Sequence, residues 1–435
     1  MIGLLIIGQH TTPLDKLYSP DIVGTMIDYP IITEKTDNDL YKVLMGAVVH
    51  EFFPKAIATY EFFNRGKTIF PEGFGEALRK QVNFMAKATT SRTEMAWLAA
   101  KPFVKANYAA WFTDYQFDPN EVTVIQTGGD IYIRIYGLWE RTIYWEVPLM
   151  AIISELYFQM TGHVLASDWL ERIHNKGINL SQHECLWSDF GTRRRRSLKV
   201  QEAVVRNMKH YQGFMGTSNI HQAFLNDLMP IGTMAHESIM AMSALYGVRM
   251  ANKGWRNLWK AYYGDKLTIF LPDTFTTDVF LRDFDAEEAE FWSGLRQDSG
   301  DPNDWTDNKI IPHYKKLGVS LKRKKLIYSN NLTDEEFVTI SLKYRKVAIP
   351  LAGIGTYLTN DTFTPEQVKL GFRALNMVIK MTAINFGGET VPVVKLSDDV
   401  GKHTGNGNQI AYVMRVLGIG QPCYAEREFG IQNGS

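Results

Sequence analysis

Phe190-Gly191-Thr192-Arg193 is the first of four segments in which an apolar run ends in Gly-Thr; the others are Met215-Gly216-Thr217-Ser218, Ile231-Gly232-Thr233 and Ile354-Gly355-Thr356-Tyr357. Short apolar runs of this kind predict buried strands. Glycine at a strand end lets backbone N–H groups approach an anion closely, and the threonine adds a hydroxyl donor. One Gly-Thr pair could start any loop, but four at strand ends predict a group of phosphate-binding loops.

Three further strand ends carry polar side chains, at Asp273, at 296–298 and at Ser329. Amphipathic stretches such as 198–211 and 334–347 lie between the strand ends and predict crossover helices. A spacing of roughly 17 to 40 residues between strand ends favours an irregular (β/α) barrel over a Rossmann sheet. No Gly-x-Gly-x-x-Gly motif opens a helix in this chain.

The first third of the chain has a different pattern, which predicts an α+β domain. Helical spacing of apolar residues predicts a helix over 40–53, with an N-cap signal in Thr36-Asp37-Asn38-Asp39. Strands are predicted over 58–64 and in a hairpin of 122–127 with 131–137. Two further strands are predicted near the end of the chain, over 376–383 and 392–396.

The composition narrows the function classes. The chain has 435 residues, is 45% hydrophobic, and carries 47 basic and 47 acidic residues. No global field therefore favours nucleic acid or an anionic membrane, and an anion site must be local. The apolar start, 1–7, is too short for a membrane span, and we expect no transmembrane segment. Two cysteines, Cys185 and Cys423, argue against a disulfide framework and suit the cytoplasm.

The arginine run 193–196 directly follows a strand end, where guanidinium groups can bind carboxylate or phosphate. Arg193, nearest the strand, is the best candidate for a ligand contact. Arg195 and Arg196 could equally belong to a solvated basic turn.

Arg296 and Asp298 lie two residues apart on a strand and can face one ligand together, although a structural salt bridge would look the same. His236 is predicted at a helix start, which favours a neutral, nucleophilic imidazole, but a lone histidine is often structural. Asp273 could bind a metal–phosphate unit or only belong to a helix cap.

Six motifs occur in order along the chain: Thr36-Asp-Asn-Asp-Leu-Tyr41-Lys, Asp189-Phe-Gly-Thr-Arg-Arg-Arg, Gly216-Thr-Ser-Asn219, Gly232-Thr-Met-Ala-His236-Glu, Leu295-Arg-Gln-Asp-Ser-Gly-Asp-Pro302 and Gly353-Ile-Gly-Thr356. Each is weak alone, but together they closely resemble the nicotinate phosphoribosyltransferase family from about residue 33 onward. The resemblance implies an extension (1–32), an α+β N-terminal domain (33–180), an irregular α/β barrel (181–375) and a C-terminal segment (376–435) that completes the N-terminal domain. It also implies a homodimer with active sites shared between subunits.

The implied reaction joins nicotinate to phosphoribosyl pyrophosphate, with ATP as co-substrate and phosphorylation of His236. Magnesium is implied as the cofactor, bound mainly through substrate phosphates, and no protein metal ligand is assigned. Expelling pyrophosphate requires cations and backbone donors. Arg296, Gly353, Gly355 and Thr356 fit that need. The resemblance implies a catalytic role for Asp298 with His236 and Arg296, and substrate binding by Asp273 and Ser329.

For the pyridine ring, the resemblance implies stacking between Phe190 and the Tyr41 of the neighbouring subunit, worth about 1 kcal/mol beyond buried area. Arg193, Thr233 and Ser218 would bind the carboxylate. In related nicotinamide-using enzymes an aspartate stands at the position of Ser218, and its charge would repel nicotinate.

Two alternatives remain open from the sequence. A quinolinate-using phosphoribosyltransferase would need more basic side chains, because its substrate has two carboxylates. A non-catalytic polyanion-binding protein would use the run 193–196, although the chain has no basic surplus.

Overall fold

The computed structural model describes residues 28–420, which contain two β-sheets of different type. One sheet is antiparallel and contains β1 (Ile57–Phe63), β2 (Val122–Thr127), β3 (Asp130–Leu138), β10 (Val378–Asn385) and β11 (Thr390–Pro392). The other is parallel and contains β4 (Trp187–Asp189), β5 (Phe214–Thr217), β6 (Ile269–Phe270), β7 (Gly294–Gln297), β8 (Lys325–Tyr328) and β9 (Ile349–Ile354). The strand orders are β11-β10-β1-β3-β2 and β5-β4-β9-β8-β7-β6.

The α-helices of the described chain are α1 (Leu40–Phe52), α2 (Phe74–Met85), α3 (Arg92–Ala99), α4 (Ala106–Asp114), α5 (Trp139–Thr142), α6 (Glu146–Met160), α7 (Trp169–Gln182), α8 (Leu198–Met208), α9 (Ile220–Leu225), α10 (His236–Leu245), α11 (Ala251–Tyr263), α12 (Thr277–Leu281), α13 (Ala286–Phe291), α14 (Pro302–Asp304), α15 (Ile311–Leu317), α16 (Asp334–Tyr344), α17 (Thr356–Thr359), α18 (Pro365–Lys369) and α19 (Gly407–Leu417). A π-helical turn, Trp305–Ile310, joins α14 to α15. Short 3-10 turns follow two strand ends, at Thr192–Arg194 and Asp273–Phe275.

The predicted α+β domain is confirmed, and C-terminal chain completes it. The strand β10 pairs antiparallel with β1 from Ile57↔Asn385 to Phe63↔Val378, so two strands from the end of the chain extend the N-terminal sheet. The predicted hairpin is formed by β2 and β3. The two C-terminal strands were predicted with shifted bounds, since β11 ends at Pro392.

The start of α1 differs from the predicted cap. Asp39 is the N-cap residue, but its side chain makes no capping hydrogen bond. Its carboxylate instead accepts a hydrogen bond from Ser218 Oγ at 2.7 Å. The sequence predicted an N-cap at Thr36 with the acidic Asp39 three positions on, so the helix begins three residues later than that pattern indicated, and Asp39 makes a tertiary contact.

The parallel sheet is brought close to a barrel by an irregular segment, 230–233. Pro230 forms a parallel bridge with Thr217 at the end of β5, and Ile231 N donates to Thr217 O at 2.9 Å. Thr233 Oγ1 donates to Ile269 O of β6 at 2.9 Å. The segment thus lies between the two edge strands, as expected of an irregular (β/α) barrel.

The packed fold begins before residue 33. Ile31 and Ile32 are buried, and Ile31 N donates to Gln81 Oε1 of α2 at 2.9 Å. The rest of the predicted extension, 1–27, lies outside the described residues, as does Cys423. Cys185 is a buried free thiol. Across 28–420, no helix has both the length and the apolar character that a membrane crossing requires.

Candidate active site

The carboxyl ends of the parallel strands gather the predicted site residues at one edge of the sheet. Asp189 at the end of β4 is in register with Thr217 of β5 and with Ile354 of β9. On the other side, Gln297 of β7 is in register with Tyr328 of β8. The residues that follow these strands therefore lie along a common edge.

Asp189 organises the loops at this edge, a role that the sequence did not indicate. It is buried and accepts hydrogen bonds from Gln201 Nε2 at 2.9 Å, Thr217 Oγ1 at 2.8 Å and Gly191 N at 2.8 Å. Thr192 Oγ1 is also held by Gln201 Nε2 at 2.9 Å. The hydroxyls of Thr192 and Thr217 thus satisfy protein groups, and the prediction that they face an anion is wrong.

Phe190 lies flat against the glycine of the neighbouring strand. A Cβ added to Gly353 would lie 2.3 Å from Phe190 Cδ2 and 2.4 Å from Cε2, so only glycine leaves room for the ring. A Cβ on Gly355 would lie 3.2 Å from Phe190 O. These two glycines therefore seat Phe190, while Thr356 begins α17 and is half-buried.

The arginine run divides into two pairs. Arg195 is fully buried and makes a bidentate ion pair with Asp37, with Nη1–Oδ1 at 2.6 Å and Nη2–Oδ2 at 2.7 Å. Burial opposes ionisation of Asp37, but the Arg195 guanidinium holds its pKa below the usual range. Arg196 is buried over the Phe158 ring at 4.1 Å from its centroid. Neither residue belongs to a solvated turn, so that alternative is wrong.

Arg193 and Arg194 are half-buried at the site edge. Arg193 Nη1 lies 3.3 Å from Glu146 Oε1. Burial disfavours its charged form, but the neighbouring Tyr41, Glu146 and Asp39 raise the pKa of Arg193. Burial and the adjacent Arg193 lower the pKa of Arg194 to about 10.

Tyr41 lies against the barrel of its own chain. Its backbone N is 3.4 Å from the position of a Cβ on Gly232, its ring is buried, and its hydroxyl has no hydrogen-bond partner among the described residues. Its proximity raises the pKa of Arg193 of the same chain. The resemblance implies that Tyr41 reaches the site of a neighbouring subunit; within the single chain the ring lies near Arg193.

Ser218 and Asp39 form a buried pair beside Arg193. Leu40 N donates to Ser218 O at 2.7 Å, which joins the start of α1 to the end of β5. Burial raises the pKa of the Asp39 carboxyl to about 6, although Ser218 donates to it. Ser218 thus lies where the resemblance implied, with its hydroxyl bound to a carboxylate of the protein.

A buried triad of charged side chains links α1 to α6 and α10. Lys42 Nζ lies 2.6 Å from Glu146 Oε2 and also pairs with Glu237 Oε2. Glu237 Oε1 accepts from Tyr60 OH at 2.9 Å and from Trp139 Nε1 at 3.1 Å. Burial opposes ionisation of Glu146, but Lys42 lowers its pKa to about 2. The triad fixes Glu146, which in turn holds Arg193.

His236 begins α10, as predicted, and is buried. Its Nε2 lies 3.0 Å from Asp298 Oδ2 and its Nδ1 lies 3.1 Å from Thr274 Oγ1. Burial and Lys395 keep the pKa of His236 well below its usual value. Burial opposes ionisation of Asp298, but His236 and Arg296 hold its pKa well below the usual range. Because Asp298 is therefore an ionised acceptor, we assign the ring proton to Nε2 and the lone pair to Nδ1.

Asp273 and Ser329 complete this cluster. Ser329 Oγ donates to Asp298 Oδ1 at 2.8 Å, and Ser299 Oγ donates to Asp273 Oδ2. Burial raises the pKa of Asp273 to about 6, and its Oδ1 is buried without a hydrogen-bond partner. Ligand atoms of His236, Asp273 and Asp298 lie within 4.8 Å of one another. A buried carboxylate oxygen without a donor is what a bound cation would satisfy, so the carboxylates of Asp273 and Asp298, together with substrate phosphate oxygens, fit magnesium.

Two lysines of the C-terminal segment were missed by sequence reasoning. Lys380 on β10 is half-buried, and burial lowers its pKa to about 7 although Glu146 opposes the shift. Lys395 is buried, and burial also lowers its pKa against the effect of Asp273 and Asp298. In the sequence, the only signal is that each of the two apolar segments predicted as strands, 376–383 and 392–396, contains a single lysine.

The fold and this site define a protein of the α/β barrel class whose parallel strands gather aromatic, cationic and carboxylate side chains at their carboxyl edge. Two family models match the chain: the nicotinate phosphoribosyltransferase (NAPRTase) N-terminal domain over 36–154, and the nicotinate phosphoribosyltransferase (NAPRTase) family over 185–421. The chain belongs to the nicotinate phosphoribosyltransferase family.

Individual relatives agree with the family models. A nicotinate phosphoribosyltransferase of Desulforapulum autotrophicum is 41% identical over 388 residues, covering 88% of this chain and 97% of the relative. One from Methanosarcina mazei is 38% identical over 405 residues, with the same two shares. Among crystal structures, nicotinate phosphoribosyltransferase from Porphyromonas gingivalis superimposes with a TM-score of 0.85 at 36% identity, covering 89% of this chain and all of the other.

Proposed function

We propose that the protein joins nicotinate to phosphoribosyl pyrophosphate, giving nicotinate mononucleotide and pyrophosphate in NAD salvage. The observation that carries the proposal is that family motifs from separate parts of the chain, between residues 189 and 356, supply side chains to one edge of the barrel. The ring nitrogen of nicotinate uses its lone pair to bond to C1′ of the ribosyl group. The bond from C1′ to pyrophosphate breaks, and pyrophosphate leaves with the electron pair. No protein base is needed for this step.

The side chains around Phe190 support nicotinate as the acceptor. Phe190 and Tyr41 offer aromatic faces, and Arg193 offers a cation whose pKa its neighbours raise. We propose that Ser218 and Thr233 donate to the substrate carboxylate when it binds, their hydroxyls turning from Asp39 Oδ1 and Ile269 O. An aspartate at position 218 would instead repel that carboxylate.

Cations on the other side of the site support pyrophosphate departure. Arg296 has a buried Nε without a hydrogen-bond partner in the described chain. We propose that Arg296 and Lys395 stabilise the charge that develops on pyrophosphate, together with backbone donors near Gly355. Magnesium, held by Asp273, Asp298 and substrate phosphates, would supply further positive charge.

We further propose that ATP is a co-substrate that phosphorylates His236 at Nδ1. The Nδ1–phosphorus bond forms as the bond from the γ-phosphorus to the ADP oxygen breaks, and Asp298 keeps the Nε2 proton and the orientation of the ring. The pKa of His236, lowered by burial, keeps the imidazole neutral and nucleophilic at neutral pH.

The test of the phosphohistidine uses His236→Asn. This variant should lose ATP hydrolysis and acid-labile labelling from γ-labelled ATP, yet keep slow ATP-independent synthesis, because Arg296 and Asp298 remain. The control is His50→Asn. His50 lies in the last turn of α1 and pairs with Glu140, so this variant should still be labelled. Labelling that persists in His236→Asn, or equal loss of synthesis with and without ATP, would refute the assignment.

A homodimer with shared active sites, in the cytoplasm, completes the proposal. The free thiol of Cys185 suits a reducing compartment. Tyr41 packs beside Gly232, and its buried hydroxyl has no hydrogen-bond partner in the described residues. Whether subunits share sites is therefore decided by mixing variants, as described below.

A further inference from the structure

A second cluster of metal-ligating side chains lies outside the proposed active site. Glu34 precedes the first family motif, Glu94 is in the first turn of α3, and His221 is in the first turn of α9. His221 Nδ1 lies 3.0 Å from Glu94 Oε2, and ligand atoms of the three residues lie within 4.8 Å of one another. Three segments that are distant in sequence therefore bring two carboxylates and one imidazole together.

The protein alone leaves this cluster incompletely satisfied. Glu94 is 1% exposed, and its Oε1 is buried with no hydrogen-bond partner in the described chain. Glu34 Oε2 is likewise buried and without a partner there. One imidazolium can neutralise one carboxylate, and a buried carboxylate oxygen without a donor is costly. A bound cation would satisfy both orphaned oxygens.

The chemical types of these three ligands favour zinc over magnesium. One imidazole with two carboxylates is a three-ligand set that zinc accepts, with bonds of about 2.0 to 2.2 Å and a water in the fourth position. Magnesium instead prefers six oxygen ligands. We propose that Glu34, Glu94 and His221 form a structural site for Zn²⁺, separate from the site of the reaction.

The position of this zinc site gives it a mechanical role. Thr36 O accepts from His221 N at 3.0 Å, and Asn38 O accepts from Ile220 N at 2.9 Å. Zinc would add a metal-mediated link to these hydrogen bonds between the 34–39 segment and α9, and it would also link both to α3. The segment carries Asp37 and Asp39, so the metal would stabilise the entrance to α1 without contacting substrate.

The experiment uses the full chain, stripped of metal by a chelator, in a His236→Asn background. That change removes the imidazole of the cluster formed with Asp273 and Asp298. Calorimetric titration should then give one Zn²⁺ per chain and a higher melting temperature, while Mg²⁺ at the same concentration gives neither. Co²⁺ should give the visible absorption of a tetrahedral complex.

Glu34→Gln and His221→Asn, each added to that background, should weaken zinc binding by more than about 100-fold, since each removes a ligand. His50→Asn is the matched control: His50 pairs with the single carboxylate of Glu140 at 2.6 Å, and its loss should leave zinc binding unchanged. The titration of the background protein is decisive even if a variant fails to fold. Absence of stoichiometric Zn²⁺ binding, equal binding of Mg²⁺, or binding that survives Glu34→Gln would overturn the site and leave a simple ion pair.

Discussion

Gly353→Ala tests whether the packing at the end of β9 positions the nicotinate-stacking ring. The added Cβ would lie 2.3 and 2.4 Å from two ring atoms of Phe190, whereas ordinary contacts are 3.4 Å or longer. The ring must therefore move by about 1 Å or leave its place against the strand. Overpacking of this kind costs about 1 to 3 kcal/mol.

If Phe190 stacks on the pyridine ring, this cost appears in substrate use. A loss of about 1 to 3 kcal/mol corresponds to a fall of about 5- to 150-fold in kcat/KM for nicotinate. The effect should be mainly on the KM for nicotinate at saturating phosphoribosyl pyrophosphate, because uniform binding of the ring is lost.

The assay is steady-state product formation with each substrate varied in turn, together with a melting curve. Gly254→Ala is the matched control, because a Cβ there would have its nearest neighbour, Tyr246 Cδ2, at 3.5 Å. Its kinetics should equal those of the wild type. A folded Gly353→Ala enzyme with an unchanged KM for nicotinate would refute the role given to Phe190.

Three further predictions concern the ring, the subunits and the missed lysine. Ser218→Asp places a second carboxylate beside Asp39 and the substrate, so kcat/KM for nicotinate should fall about tenfold or more; unchanged kinetics would show that residue 218 does not face the ring. Mixing Tyr41→Ala with Arg296→Ala chains should restore activity in some sites, because one shared site of the mixed dimer receives both unaltered residues; no recovery in verified heterodimers would refute sharing. We also propose that Lys380 binds a substrate phosphate; it loses its charge as pH rises through about 7 in the free enzyme, so kcat/KM for phosphoribosyl pyrophosphate should fall over that range. The Lys380→Met variant should have a low kcat/KM that does not change with pH over this range. A variant with the pH profile of the wild type would show that Lys380 does not bind the substrate phosphates.

The sequence pattern correctly predicted those helices and turns whose formation depends on residues close together in the chain. The apolar spacing over 40–53 corresponds to α1, and the turn at 128–130 corresponds to the β2–β3 hairpin. His236 at a helix start also followed from sequence alone. In each case neighbouring residues supply the signal, so no knowledge of the tertiary structure is required.

The failures involve partners that are distant in sequence. Arg195 is buried because Asp37 lies beside it in space, and nothing near either residue in the sequence indicates that ion pair. Asp39 is diverted from its helix cap by Ser218. Lys380 reaches the site because β10 pairs with β1, and Lys395 because the adjacent Leu396 N donates to Thr274 O. The resemblance implied that the C-terminal chain completes the N-terminal domain, but the residue pattern did not.

The central claim is tested most directly by giving the purified protein phosphoribosyl pyrophosphate with either nicotinate or nicotinamide, each with and without ATP. We expect nicotinate mononucleotide to form from nicotinate, faster when ATP is present, and nicotinamide to remain nearly untouched. Equal use of the two pyridines, or no nucleotide from nicotinate, would contradict the account.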